Sequence, residues 1–389
     1  ATNTTAGDLF LETTGNITLG VAVGLTQRDD GELRVDANGD MVLGGNMTVG
    51  GTGTITLNAT GNVTRTGGTV DAPTVRIGPN TAPTFIGTLV TPVFTAATTS
   101  LDLDSSAGGI YVTNTGNVNA NATASGGPVV LDNTGTLSTN GNITASAGQT
   151  VEITSTGTVT VNDDITGPGG LTIVVTNPGG LLDHTGGDIS TNNTALNLVA
   201  DSMDLGGGGG TIASGSGAVS LYPNDPTQPI TLGADAPDLG LTDAEIDAIV
   251  TTGTLTFGQA AHTGTISTGG NVTITNATGL VQLLTNGGTV TLNDDFGTAD
   301  NLTINVRAGG AVTGAVNGTG QLTVGPGGAD TLTVRSSTGI DLSNVSNLAN
   351  IVDLDNDTSG NIVYQNNRDT LLVAANDPAA GSITVTNNT

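Results

Sequence analysis

Two stretches of the chain decide its fold: GTVTVNDDITGPGGLTIVV (Gly157–Val175) and GTVTLNDDFGTADNLTINV (Gly288–Val306). Each one reads as a strand that alternates apolar residues with Thr, then an Asn-Asp-Asp turn, a link containing Gly, and a second strand. Because they lie more than a hundred residues apart, the two stretches indicate that both halves of the chain are built from one kind of repeating unit.

Shorter marks of the same unit recur along the chain. The pattern Gly-Asn-apolar-Thr begins at Gly15, Gly45, Gly61, Gly141 and Gly270. A second mark, Gly-Thr followed by an apolar residue, recurs at Gly53, Gly68, Gly87, Gly135, Gly157, Gly253, Gly264 and Gly288. Neighbouring marks of this second kind are often separated by about 19–24 residues, a period that is typical of a solenoid. In a solenoid, each strand pairs about 4.8 Å from its equivalents in the rungs above and below. The sequence therefore predicts an all-β fold, a right-handed parallel β-helix (β-solenoid) with rungs of about 20 residues.

Composition narrows the alternatives. The 389 residues include 61 Gly but only 2% aromatic residues, so the expected core is thin and lined by Val, Ile and Leu. The abundance of β-branched residues argues against disorder. A tandem array of β-sandwiches is the alternative fold, but it requires larger cores and usually a recurring aromatic residue.

Charge limits the partners. The net charge is -27, and the seven basic residues are all Arg: Arg28, Arg34, Arg65, Arg76, Arg307, Arg335 and Arg368. They form no basic cluster that could neutralise phosphates, so we expect no nucleic-acid partner. No apolar run approaches the ~20 residues of a membrane span, so we expect no membrane insertion.

Cysteine is absent, which excludes disulfides, thiolate zinc sites and cysteine nucleophiles. No signal peptide is recognisable. The opening residues ATNTTAG are compatible with a mature terminus or with an internal cut.

The repeats divide the chain into rungs at 1–221, an excursion at 222–250, and rungs at 251–389 that continue the same rod. The excursion opens with YPNDPTQPITLGADAPD (Tyr222–Asp238), whose four prolines predict a surface loop. A smaller segment interrupted by proline runs from Pro73 to Pro92.

One short helical turn is expected near 242–250. Thr242 is a candidate N-cap, and Glu245 completes the capping-box pattern three residues later. Ile246, Ile249 and Val250 would share one helical face.

This region resembles a recurring unit of the filamentous-haemagglutinin-like exoproteins, in which a leucine-rich strand runs into a short acidic helical turn and then into Gly-containing strands. The matching positions are Leu239, Leu241, Glu245, Ile246, Ile249, Gly253, Leu255, Phe257, Gly258, Gly264 and Ile266. The resemblance is specific over about residues 238–306, and it implies a secreted β-helical adhesin or filament at the bacterial cell surface. The Asn-Pro-Asn-Gly-type secretion signature of that family has no match here, since YPNDP at Tyr222 departs from it.

No residue pattern predicts catalysis. His184 and His262 are the only histidines, and neither stands near a second His or a Ser-centred motif, so both are interpreted as turn or loop residues. Enzymes on β-helix scaffolds that cleave acidic polysaccharides cluster Asp, Arg and often Lys on one face, whereas this chain has no Lys and scattered Arg. A tailspike-like depolymerase with two carboxylates on neighbouring rungs stays open as an alternative.

The sequence predicts no cofactor, with calcium as the open alternative. Asp353, Asp355 and Asp357 alternate in DLDNDTSG, but Thr358 and Tyr364 occupy the positions where an EF-hand loop needs Gly and Glu. VDANGD (Val35–Asp40) is a weaker candidate. The alternative interpretation is that these Asp residues form turns.

Sequons of the type Asn-X-Ser/Thr are frequent, among them those at Asn16, Asn46, Asn62, Asn142, Asn271 and Asn301. They are interpreted mainly as turn and ladder residues, with glycosylation as the alternative.

Both ends of the sequence read as rung material without polar caps, in DLFLETTGNITLG (Asp8–Gly20) and GSITVTNNT (Gly381–Thr389). Uncapped strand edges predict partners, either further copies stacked head to tail or flanking parts of a longer chain. Glycans of a host, cell surface or matrix are further possible partners.

The predicted function is a non-enzymatic structural or adhesive rod in an extracellular filament or giant adhesin. Besides the depolymerase, a second alternative is a calcium-dependent S-layer or matrix lattice.

Overall fold

A computed structural model describes residues 2–3, 7–20, 25–27, 30–311, 313–325, 327–344, 346–369, 371–376 and 381–388. Arg28 and Thr389, named above, lie outside these ranges. The chain forms two compact units, the first with residues 1–177 and 183–192 and the second with residues 178–182 and 193–389.

The first unit consists of short strands. They are β1 (Thr2–Asn3), β2 (Leu9–Thr13), β3 (Ile17–Leu19), β4 (Leu25–Gln27), β5 (Glu32–Ala37), β6 (Met41–Leu43), β7 (Met47–Val49), β8 (Thr54–Ala59), β9 (Val63–Arg65), β10 (Val70–Asp71), β11 (Thr74–Ile77), β12 (Val93–Thr95), β13 (Ser100–Ser105), β14 (Ile110–Thr115), β15 (Val118–Ala124), β16 (Val129–Thr134), β17 (Leu137–Thr144), β18 (Thr150–Ser155), β19 (Val159–Val161), β20 (Ile165–Thr166), β21 (Gly170–Val175), β22 (Leu181–His184), whose residues are divided between the units, and β23 (Ile189–Ser190).

The second unit adds the one helix of the described residues. Its elements are β24 (Leu196–Val199), β25 (Ser202–Asp204), β26 (Ile212–Gly215), β27 (Val219–Tyr222), β28 (Ile230–Leu232), β29 (Leu239–Leu241), α1 (Asp243–Asp247), β30 (Ile249–Thr251), β31 (Leu255–Gly258), β32 (Ile266–Thr268), β33 (Val272–Ile274), β34 (Val281–Leu284), β35 (Val290–Thr291), β36 (Phe296–Thr298), β37 (Leu302–Asn305), β38 (Val316–Asn317), β39 (Leu322–Val324), β40 (Thr331–Ser336), β41 (Ile340–Leu342), β42 (Ile351–Asn356), β43 (Ile362–Asn366), β44 (Leu371–Asn376) and β45 (Ile383–Asn387).

Both units are parallel β-solenoids, as predicted. In the first unit, β5, β8, β11, β13, β15 and β17 pair in that order along one face, and β7, β10, β12, β14, β16, β18 and β21 pair along another. In the second unit, one face runs β27, β31, β34, β37, β40, β42 and β44, and another runs β29, β28, β32, β35, β38, β41, β43 and β45. A rung takes about 22 residues, close to the expected length.

The core of each unit is a set of stacked aliphatic rows. Leu33 pairs in register with Ile55, Ile55 with Val75, and Val75 with Leu101, and all four side chains are buried. Full burial of one such side chain contributes roughly 1.5–3 kcal/mol. Because the same inward position is apolar in each of these four rungs, the row continues from one rung to the next.

One row inside the first unit is polar. Asn114 donates to the Oδ1 of Asn133 at 2.9 Å, and its own Oδ1 accepts from the Thr95 hydroxyl at 2.8 Å. Asn114 and Asn133 are buried. Asn133 in turn donates to the Thr136 carbonyl at 3.0 Å, so stacking and bonds to the backbone together pair these buried amides.

The excursion differs in part from its prediction. Ile230–Leu232, expected in a surface loop, forms strand β28 between β29 and β32. Pro229 directly precedes β28, a position that a sheet tolerates because the first residue of a strand need not donate to the ladder. The chain between β28 and β29 therefore doubles back and adds one extra strand to this face.

The helix is shorter than expected. It begins after the N-cap Thr242 and ends at Asp247, with the predicted capping box between Thr242 and Glu245. The prediction that Ile249 and Val250 lie on a helical face is wrong, because both belong to β30, which pairs with β26. Pairing with a neighbouring rung has overridden the local helical pattern.

Helix α1 packs at the open edge of the short sheet β33–β36–β39. The Asp243 carboxylate accepts the Thr273 N–H at 2.7 Å, and the Asp247 carboxylate accepts the Thr275 hydroxyl at 3.2 Å. On its other side, buried Glu245 accepts the Leu205 N–H at 2.9 Å. The helical turn thus takes the place of a strand and satisfies edge groups of β33 that would otherwise be open.

Candidate functional site

The Asn-Asp-Asp turns join neighbouring rungs. In the first turn, the hydroxyl of Thr139 accepts the N–H groups of Asn162 and Asp163, each at 2.8 Å. The carboxylate of Asp164 accepts the N–H of Asp188 in the following rung, also at 2.8 Å. These side chains are held by backbone groups, so the turn interpretation accounts for their recurrence.

Several sequon asparagines have the same role. Asn16, Asn46, Asn271 and Asn301 each accept, through Oδ1, a backbone N–H from the next rung at 2.8–3.2 Å. This supports their interpretation as turn residues. Glycosylation of the sequons stays untested.

The calcium candidate Asp353, Asp355 and Asp357 lies against two arginines. Arg307 reaches across the intervening rung of β40, and its guanidinium binds Asp355 at 2.6 Å and also binds Asp357. Arg335 binds Asp353. Cations already neutralise these three carboxylates, which makes this cluster a poor site for a further cation. Within the described ranges, no group of three His, Cys, Asp or Glu side chains could hold a metal ion.

The two histidines are both buried. The Nε2 atom of His184 lies 2.8 Å from the carbonyl oxygen of Gly187. Neither ring nitrogen of His262 forms a well-aligned hydrogen bond within the described residues. Burial lowers the pKa of His262, although the carbonyl oxygens of Thr265 and Pro226 oppose this shift. The buried ring is held neutral inside the second unit.

A carboxyl pair on neighbouring rungs escaped sequence reasoning. Asp300 and Asp330 share a hydrogen bond, and burial together with the Asp300 carboxyl raises the pKa of Asp330, while Arg368 acts in the opposite direction. The two residues precede β37 and β40, which pair in the sheet. Only the pairing of rungs brings them together, since 30 residues separate Leu302 from its partner Leu332.

An apolar groove of about 330 Å³ lies over β33, β36 and β39 in the second unit. Its floor is Gly297, and Thr273 and Thr323 stand on either side in register. A Cβ atom at Gly297 would meet nothing closer than 3.8 Å, so the groove exists because this outward position lacks a side chain. In the sequence, Gly297 looks like any other turn glycine, and no signal distinguishes it.

No known protein family, curated protein or solved structure matches this chain. The filamentous-haemagglutinin resemblance therefore stays an expectation, and the function must be argued from the geometry. No helix within the described residues is both long and apolar enough to cross a membrane.

Proposed function

We propose that this chain is a non-enzymatic structural or adhesive rod, part of an extracellular filament or giant adhesin at a bacterial cell surface. One observation carries the proposal: the polar side chains at the turns bind the backbone of neighbouring rungs. Asp30, Asp40 and Asp295 each accept an N–H from the next rung at 2.7–2.9 Å. Carboxylates of a type that can serve catalysis are here bound to backbone N–H groups, and they hold the stacked rungs together.

Assembly through pairing of parallel strands is part of this proposal. Strand β45 pairs with β43 on one side, and Ile383 in β45 is 45% exposed. An open parallel strand edge is a template for another strand. A further copy or further residues of a longer chain would continue the ladder, and head-to-tail pairing of copies gives open filaments.

Electron microscopy of the native material, combined with incubation on acidic polysaccharides, tests the proposal. We expect fibres or very long molecules and no release of oligosaccharides. A monodisperse short particle that shortens polysaccharide chains would contradict it.

A tailspike-like depolymerase is the second candidate, and the Asp300–Asp330 pair is the arrangement on which it would rest. Glycosidases that retain or invert configuration separate their carboxyl groups by about 5–9.5 Å, whereas these two carboxyls share a hydrogen bond. Asp300→Asn and Asp330→Asn should therefore leave any polysaccharide turnover unchanged. Loss of turnover in both variants, with wild-type unfolding curves, would favour the depolymerase.

A further inference from the structure

An apolar turn projects from the first unit. Thr88 and Thr91 exchange two backbone hydrogen bonds of 3.1 Å, and their hydroxyls lie 2.7 Å apart. This clamp presents Leu89 and Val90, which are 73% and 89% exposed. Turn positions of this kind usually carry Gly, Asn, Asp or Ser, so two aliphatic side chains at the tip call for a partner. We name Leu89 and Val90 the knob.

The base of the knob carries a cation and an aromatic ring. Gly87, one residue before the turn, donates its N–H to the carbonyl of Val63 in β9. Arg65, at the end of β9, stacks its guanidinium 3.6 Å from the ring centroid of Phe94, which is 37% exposed. Within the described part of the chain, Arg65 makes no ion pair with a carboxylate. The knob therefore combines apolar side chains with an unneutralised positive charge.

The groove over Gly297 has the complementary properties. Its surface is formed by Gly297, Ala299 and the methyl group of Thr273, with Ile274 and Phe296 buried beneath them, and its rim is acidic. Asp295 lines it directly, while Asp243 and Asp247 bind the lining residues Thr273 and Thr275. None of the residues that line the groove is basic.

We propose that the knob of one copy docks into the groove of a second copy, with Arg65 facing the acidic rim. Burial of Leu89 and Val90 would supply the affinity, since each such side chain gains roughly 1.5–3 kcal/mol on full burial. Opposite charges at the two surfaces select this orientation in a protein whose net charge of -27 otherwise opposes association. Because knob and groove are different surfaces, the contact is heterologous and can propagate.

This inference goes beyond pairing of strand edges, because neither surface includes β45. Strand-edge pairing and the contact between knob and groove could operate in one filament, yet either one can fail while the other holds. Fibres that persist after the knob is removed would leave the proposed function standing while the docking contact fails.

Disulfide trapping tests the contact without background, because the chain has no cysteine. Val90→Cys and Gly297→Cys chains are prepared separately, mixed and oxidised mildly. We expect a mixed disulfide dimer at least about tenfold more abundant than that from Val90→Cys with Thr166→Cys, an outward position in the first unit. Equal yields from the two mixtures would overturn the proposal.

Complementation gives an independent measurement. Leu89→Ser/Val90→Ser lacks the knob but keeps the groove, and Gly297→Thr keeps the knob but fills the groove. In sedimentation velocity at high protein concentration, each variant alone should associate about tenfold or more weakly than wild type, and their mixture should stop at dimers. Wild-type association of either variant would refute the docking, as would knob-dependent binding to phosphatidylcholine vesicles without any protein dimer.

Discussion

The rung that contains Val159–Val175 and the rung that contains Val290–Val306 are the same device with two different surfaces. Asn293 and Asp294 donate to the hydroxyl of Thr268 at 2.9 and 3.0 Å, as Asn162 and Asp163 do to Thr139. The third residue of each turn, Asp295 or Asp164, accepts an N–H of the next rung. The shared Asn-Asp-Asp sequence thus encodes one fixed way of joining three rungs.

The sequences of the two rungs differ immediately after that turn. The first continues with buried Ile165 and outward Thr166, whose hydroxyl lies 3.3 Å from that of Ser190. The second continues with buried Phe296 and outward Gly297. In the second rung the inward side chain, Phe296, is larger, and the outward position, Gly297, has no side chain. A groove therefore replaces the row of hydroxyl groups. The surface of such a scaffold can therefore change at single outward positions, while the turns and the inward rows hold the fold.

The largest expected effect comes from the inward position that differs. Phe296→Ala removes a fully buried ring from the second unit, and we expect a loss of about 3–5 kcal/mol in the free energy of unfolding, because a cavity remains. Ile165→Val at the matching position should cost only about 0.5–1.5 kcal/mol. Chemical denaturation of both variants measures the two values, and equal small losses would show that the Phe296 site collapses around the gap.

Removal of the threonine hydroxyl that binds each turn should destabilise both rungs by a similar amount. Thr139→Val and Thr268→Val keep the shape of the side chain but remove the oxygen that accepts two N–H groups. Leaving these donors without a partner should cost about 1–3 kcal/mol in each variant. Thermal unfolding checks this, with Thr166→Val as the control, since the Thr166 hydroxyl accepts no backbone N–H. A cost at Thr139 alone would mean that the two turns are not equivalent.

His262 should make the stability of the second unit depend on pH. Burial lowers the pKa of His262, so the folded chain holds a neutral ring while the unfolded chain takes up a proton near the usual value of about 6.5. Stability present above that pH is therefore lost as pH falls below it towards the folded pKa. His262→Gln should remove this loss between pH 7.5 and pH 5.5, measured by thermal unfolding. His184→Gln should retain it, and an unchanged pH dependence in His262→Gln would contradict the assignment.

The smallest effect on stability is expected at the outward position. Gly297→Thr copies the residue of the other rung into a strand where a Cβ meets nothing closer than 3.8 Å. We expect the free energy of unfolding to stay equal or rise by less than about 1 kcal/mol, because Thr suits strands better than Gly. The free energy of unfolding of Thr166→Gly should fall by a similar amount. A large loss in Gly297→Thr would show that the groove is needed for folding.

Much of the fold could be predicted because it is repeated. Alternating apolar residues, the period of the Gly-Thr marks and the paired Asn-Asp-Asp turns each indicate parallel stacked rungs. The capping box at Thr242 and Glu245 also followed from local rules, since a cap involves residues three apart. Where local and long-range signals compete, local rules failed: Ile249 and Val250 joined a sheet, and Ile230–Leu232 formed a strand after a proline-rich segment.

The candidate surfaces could not be predicted, because each depends on which rungs lie side by side. Asp300 meets Asp330, and Arg307 meets Asp355 and Asp357, only through register. Insertions between strands change the register, as when Val219 pairs with Leu255, 36 residues further on. Sequence spacing therefore does not give the neighbours of a side chain.

By itself, the sequence determined the class of fold, the inward aliphatic rows and the turn chemistry, because these arise from alternation and from contacts that every rung repeats. Only the tertiary structure decided which polar residues turn inward, what helix α1 covers, and where the surface is raised at Leu89 and Val90 or hollowed at Gly297. The reason is physical. A repeated pattern sets what all rungs share, whereas the surface depends on the particular side chains that stacking places next to one another.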